Sequence, residues 1–200
     1  GVKAMATREE DYVETVFTAS THDSILFFTN LGKVYVRKGY RIPEAGRSAR
    51  GQNIVNIIPT DPGEKVSAMI AGRGVTEDNY LVFVTRNGTV KRTAQSAFKN
   101  IRSNGIRALS LDEGDELISV LQTTGEDKIL LATHDGMAIC FAETDARAMG
   151  RDAVGVRGIR LREGDYVVGA GIAAEGAAIL SITENGYGKR TDVGEYSVQN

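Results

Sequence analysis

Apolar residues come in short bursts along this chain, and each burst is cut off by a turn. Ile25-Leu-Phe-Phe-Thr runs into Asn30-Leu-Gly32, and Leu81-Val-Phe-Val-Thr runs into Asn87-Gly88. Ile129-Leu-Leu-Ala-Thr runs into Asp135-Gly136, and Ala178-Ile-Leu-Ser-Ile-Thr into Asn185-Gly186. A second strand-like run follows each turn. Asn-Gly or Asp-Gly between apolar runs predicts a β-hairpin, here with a type I′ turn whose two central residues take positive φ. The bursts are too short and too β-branched for amphipathic helices, so little helix is expected.

The turn glycines recur at intervals of 56, 48 and 50 residues. A period of that size marks a repeat architecture. A second glycine follows in each unit: Gly51, Gly105 and Gly155 stand 19, 17 and 19 residues after their turn glycines. Next comes a short apolar stretch and an acidic turn, at Asp61-Pro-Gly-Glu64, Asp112-Glu-Gly-Asp115 and Arg162-Glu-Gly-Asp165. The fourth hairpin lacks this second half, and a copy of it opens the chain. Gly1-Val-Lys-Ala-Met-Ala-Thr-Arg-Glu-Glu-Asp11 aligns with Gly155-Val-Arg-Gly-Ile-Arg-Leu-Arg-Glu-Gly-Asp165. The predicted units are whole repeats over 22–73, 77–123 and 125–173, the head of a split repeat over 175–200, and its tail over 1–17. Repeats of this length, with about four strands each, predict an all-β, propeller-like array. A blade geometry suited to a larger array favours an open arc over a closed ring.

Charge changes the picture once it is located. The formal net charge is -2, which by itself argues against a nucleic-acid partner. The signs are segregated, however. Arg86 to Arg107 holds six basic residues and no acid, while Asp112 to Asp127 holds six acids and no base. The basic residues also recur at similar places in the repeat. After the hairpin turn come Arg37-Lys38, Lys91-Arg92 and Lys189-Arg190, with Cys140-Phe141 as the exception. Arg47 with Arg50, Arg102 and Arg151 precede the second glycine, and Lys3, Arg107 and Arg157 follow it. Equivalent blades would line these side chains up as a positive band on one rim. Such a band suits the phosphates of duplex DNA, which it neutralises without reading sequence. The neighbouring glycines would let a backbone N–H approach a phosphate oxygen. The alternative is that these cations pair with acids of the next blade.

Other chemistry finds little support. Val167-Val-Gly-Ala-Gly-Ile-Ala-Ala174 resembles a dinucleotide fingerprint, but the next hairpin signal follows before a helix of useful length could form. A nicotinamide enzyme resting on Gly169 and Gly171 is therefore disfavoured, and no cofactor is expected. His22 and His134 have no repeated partner, so no catalytic or metal set is expected. The acidic turns read as solvated. Cys140 is the single cysteine, which excludes an internal disulfide and suits a reducing cytoplasm. No apolar run approaches the ~20 residues of a membrane span.

Several stretches resemble the C-terminal domain family of bacterial gyrase A. They are Gly1-Val-Lys-Ala-Met-Ala-Thr-Arg-Glu-Glu-Asp-Tyr-Val13, Phe27-Phe-Thr-Asn-Leu-Gly-Lys-Val-Tyr35, Ile101-Arg-Ser-Asn-Gly-Ile106, Leu111-Asp-Glu-Gly-Asp-Glu-Leu117 and Thr183-Glu-Asn-Gly-Tyr-Gly-Lys-Arg-Thr191. The resemblance covers essentially the whole chain and points to gyrase A rather than to its topoisomerase IV counterpart. It implies a β-pinwheel whose blades exchange strands, with about four blades of a usually six-bladed domain. It also implies a non-catalytic module that wraps duplex DNA around a basic rim, beside the rest of gyrase A and its partner gyrase B, in the bacterial cytoplasm at the nucleoid. The family's signature box, Gln-Arg-Arg-Gly-Gly-Lys-Gly, is absent except for its last glycine, identified with Gly1. The expectation is DNA binding with partial bending and weak or no chiral wrapping. A propeller-like protein-interaction module is the alternative, and a salt-dependent shift of DNA separates the two.

Overall fold

The computed structural model describes residues 24–38, 58–71 and 79–174, together with the strand backbones of 177–184, 187–192 and 197–199. The first hairpin pairs β1 (Ser24–Thr29) with β2 (Lys33–Lys38), and β3 (Val66–Ala71) adds to the other side of β1. The second pairs β4 (Tyr80–Thr85) with β5 (Thr89–Ala94). It is followed by the short β6 (Ile106–Arg107) and by β7 (Leu117–Thr123). The third comprises β8 (Lys128–Thr133) and β9 (Met137–Ala142), then β10 (Val156–Arg157) and β11 (Val167–Ala174). Last come β12 (Ala177–Glu184), β13 (Tyr187–Asp192) and β14 (Ser197–Gln199).

The sheets do not coincide with the sequence repeats. The first sheet has the order β3-β1-β2-β6, so its outer strand comes from the second repeat. The second has the order β7-β4-β5-β10, and its outer strand comes from the third repeat. The second and third repeats thus each complete the sheet before their own, which is the strand exchange of a β-pinwheel. The third sheet differs. In it β14 pairs with β9 in parallel, and the fourth hairpin extends the sheet through β12 on β11, giving six strands. Among the described residues the fourth hairpin therefore forms no separate blade. Residues 1–17, the expected tail of the split repeat, lie outside the described residues.

The apolar bursts are the middle strands. Five consecutive residues are buried in each of β1, β4 and β8, because every sheet is covered on both faces. Alternation then assigns neighbours. Leu81 and Phe83 face back towards Leu26, Phe28 and Val34, while Val82 and Val84 face forward to Ile129, Leu131 and Val167. Phe28 meets Phe83 edge to face at 5.4 Å and Phe98 at 5.8 Å, binding the first two sheets through an aromatic cluster. Burying each ring contributes about 2 kcal/mol.

The three described hairpin loops are not type I′ turns, and the fourth, at Asn185-Gly186, lies outside the described residues. Gly32, Gly88 and Gly136 have φ of 85°, 86° and 89°, whereas Asn30, Leu31, Arg86, Asn87, His134 and Asp135 all have negative φ. Each loop has three residues ending in a left-handed glycine. The glycine N–H donates to the threonine carbonyl at 3.0–3.1 Å in all three. The threonine hydroxyl then accepts the N–H of the residue after glycine, at Lys33, Thr89 and Met137. Threonine as the last strand residue, overlooked as a turn signal in the sequence, selects this loop.

Candidate nucleic-acid interface

Strands β6 and β10 form the outer edges of the first two sheets, while β3 packs beside β7 and β7 beside β11 on the inner side. Arg107 and Arg157 hold equivalent places on these edge strands, and both are exposed. Arg107 stands opposite Lys33 in the register and Arg157 opposite Thr89. Arg102 is exposed in the segment leading to β6, and Arg151 is half-buried in the segment leading to β10. Among the described residues none of these four arginines is within ion-pair distance of a carboxylate. Arg37 is half-buried and donates to the Ser103 carbonyl at 3.0 Å, beside Arg102. Lys3, Arg47 and Arg50, and the side chains of Lys38, Lys189 and Arg190, lie outside the described residues.

Lys91 and Arg92 are not on this rim. Lys91 is 1% exposed, and its ammonium donates to the carbonyls of Ala108 at 2.6 Å, Arg151 at 3.0 Å and Gly150 at 3.1 Å. Burial pulls its pKa down to about 8, with Asp152 opposing and Arg151 reinforcing the shift. Arg92 turns to the third sheet. Its Nε donates to the Ala146 carbonyl at 2.8 Å, its guanidinium lies 3.6 Å from the buried Glu143 carboxylate, and it stacks 4.6 Å from the Tyr80 ring. For Arg92 the alternative of pairing with the next blade is thus the observed one. The supposed match with Arg37 also fails. Arg37 sits opposite Ile25, where Thr93 sits opposite Leu81, whereas the counterpart of Lys91 is Tyr35.

Of the second glycines, Gly105 and Gly155 serve strand exchange, and Gly51 lies outside the described residues. Gly105 has φ of 84°, and a Cβ there would lie 2.6 Å from the Tyr35 ring. A Cβ on Gly155 would fall on the Val90 carbonyl. Each donated segment passes this closely over the preceding hairpin. The N–H groups of Ala108 and Gly158 donate to the carbonyls of Gly32 and Gly88, both at 2.7 Å. Phosphate approach is not needed to explain these glycines.

The acidic turns are only partly solvated. Asp61, Asp112, Glu113 and Glu163 are exposed. The acid after each turn glycine works inside the fold. Asp115 accepts the N–H groups of Asn87 at 2.9 Å and Glu116 at 2.8 Å, which fastens the hairpin loop. Asp165 does the same for Asp135 and Tyr166. Glu64 instead accepts the hydroxyls of Thr29 at 2.8 Å and Tyr35 at 3.1 Å. Burial, reinforced by Glu64, pushes the Tyr35 phenol up to about 12. This fastening also explains why the donor atoms of His134, Asp135 and Asp165 lie within 4.8 Å of one another. Gly169 and Gly171 are paired within β11, where a dinucleotide fingerprint would need a helix to begin.

Of the exposed cations outside the predicted set, two recur at one place in the repeat. Lys99 and Arg147 each stand 11 residues after a turn glycine, just beyond the 3₁₀ turns Gln95–Phe98 and Glu143–Asp145. Counting from the turn glycine would have paired them. No helix among the described residues is long and apolar enough to cross a membrane.

The geometry matches known proteins closely. The DNA gyrase C-terminal domain family, a β-propeller, matches residues 1–20, 23–72, 79–124, 127–174 and 178–200. The gyrase A protein of Staphylococcus aureus (strain NCTC 8325 / PS 47) is 49% identical over 203 residues, covering 100% of this chain and 23% of that protein. The chain thus spans about a quarter of such relatives. Among solved structures, the C-terminal domain of DNA topoisomerase IV superposes with a TM-score of 0.74 at 32% identity, covering 90% of this chain and 56% of that one. The DNA gyrase A C-terminal domain gives 0.70 at 28%, covering 91% and 58%. With a matching family over nearly all its length and that family's strand-exchanged sheets, the chain belongs to the DNA gyrase C-terminal domain family.

Proposed function

We propose that this segment is a non-catalytic DNA-holding module of a gyrase A protein, working with the rest of gyrase A and with gyrase B in the bacterial cytoplasm. The observation that carries the reading is the repeated placement of Arg107 and Arg157, exposed and unpaired with any described carboxylate, on the donated edge strands of neighbouring sheets. Arg102, Lys99 and Arg147 add exposed charge on the segments that lead to those strands. Among the described residues no helix is offered to a groove, so the contacts are to phosphates and the binding is indifferent to sequence. Continuous contacts over successive sheets would bend the duplex, against an elastic cost of about 1–6 kcal/mol per 20–30 base pairs.

Titration of the chain with two unrelated duplexes at two salt concentrations tests this. Both should bind alike, with log affinity falling linearly in log salt. Arg107→Ala and Arg157→Ala should each flatten that slope by about 0.9. Absence of binding at low salt would overturn the proposal.

A further inference from the structure

We propose that Lys91 fixes the spacing between successive cationic edge strands, as a positioning residue for bound DNA rather than a phosphate contact. The proposal rests on the DNA-holding reading above. It begins from where the three acceptors of Lys91 lie. Ala108 directly follows Arg107 at the end of β6. Gly150 and Arg151 belong to the segment that approaches β10, which carries Arg157. One ammonium therefore ties the edge strand of the first sheet to the approach of the edge strand of the second. Three N–H donors meet three carbonyls, so its hydrogen-bonding capacity is filled. The Phe83 ring lies 5.1 Å from the nitrogen as a further neighbour.

Arginine's flat fork could not reproduce that three-way grip. The equivalent positions in the first and third hairpins hold no ammonium, and the side chain of Lys189, at that position in the fourth hairpin, lies outside the described residues. Tyr35 directs its hydroxyl to Glu64, and Ile139 has no polar group. Among the described side chains, the tie is made at the junction at which the first two edge arginines must meet one duplex in register.

The test separates bending from contact. A duplex of about 40 base pairs, labelled at both ends for energy transfer, reports bending, and its salt slope counts phosphate contacts. For the full chain carrying Lys91→Met, transfer at saturation should fall while the salt slope stays within about 0.3 of the parent. A slope flattened by about 0.9, as for Arg107→Ala, would make Lys91 a phosphate contact and overturn the proposal. Unchanged transfer in a folded variant would overturn it too. Lysine acylation of the unmodified chain, read by mass spectrometry with and without DNA, covers the case of a variant that fails to fold. Lys91 should resist acylation in both states, and reactivity that DNA suppresses would overturn the proposal. Failure of the parent chain to bind DNA would instead defeat the DNA-holding reading, with the acylation result intact.

Discussion

Lys91 and Arg92 lie within sixteen residues of Arg107 in the same basic run, yet the two pairs of cations Lys91–Arg92 and Arg107–Arg157 have opposite fates. The first pair is built into the junctions between sheets, satisfied by four carbonyls and one carboxylate. The second stands on edge strands, exposed and paired with no described carboxylate. A recurring positive charge thus marks either the glue of a repeat array or its outward face. Only the strand that bears it decides which.

The sharpest break between the pairs is in stability. Lys91→Ala would take the ammonium from the buried Ala108 carbonyl and the half-buried Arg151 carbonyl, while Gly150 keeps the Ala153 N–H. Arg92→Ala would leave the buried Glu143 carboxylate with the Thr123 hydroxyl and Asp127 N–H but no cation. Each should cost about 2–4 kcal/mol in urea unfolding. Arg107→Ala and Arg157→Ala should stay within about 0.5 kcal/mol of the parent.

The acids offer a parallel contrast of smaller size. Asp115→Ala removes the acceptor for two loop N–H groups and should cost about 1–2 kcal/mol, whereas Asp112→Ala and Glu113→Ala should be nearly neutral. Equal effects at all three positions would show that the loop needs no fastening.

The smallest effect is on the shape of stability against pH. Between about 8 and the ordinary 10.5, the unfolded chain holds a proton at Lys91 that the folded chain has released, so this group makes stability rise with pH. Between the ordinary 10.0 and about 12, folded Tyr35 keeps a proton that the unfolded chain loses, so stability falls as pH rises. The three carbonyls around Lys91 favour its ammonium and trim the rising limb. Lys91→Met should abolish what remains of that limb and Tyr35→Phe the falling one, in unfolding curves taken from pH 7 to 12.

The places of the hairpins, the repeat and the turn glycines were legible in the sequence because each rests on local chemistry, while the turn type was not. A short continuous apolar burst closed by Asn-Gly or Asp-Gly needs no distant partner to declare itself. The use of Lys91 was not legible, since its acceptors lie 17 to 60 residues away. Nothing near Lys91 in the chain distinguishes a lysine bound to carbonyls from one awaiting a phosphate. The same limit hid the role of Gly155, whose tight neighbour is Val90. Asp115 was misread because exposed and clamping acids share one turn, where a single step along the backbone reverses which way a carboxylate points.

Donation of β6 and β10 to the sheet before their own has a consequence for how the array comes into being. Lys33 waits for Arg107, and Val90 for Val156, roughly seventy residues further along the chain. During synthesis a hairpin can form as soon as it emerges, but its sheet stays one strand short until most of the next repeat exists. Assembly therefore proceeds like a zip fastener, each tooth seated by the one behind it. Cutting out a single repeat would bring the donor of the repeat behind it to the sheet in front, a junction for which neither was built, and would leave the other junctions unchanged. Shortening or lengthening such a domain in evolution must join a donor to an acceptor whose slot suits it, as Tyr35 suits Gly105.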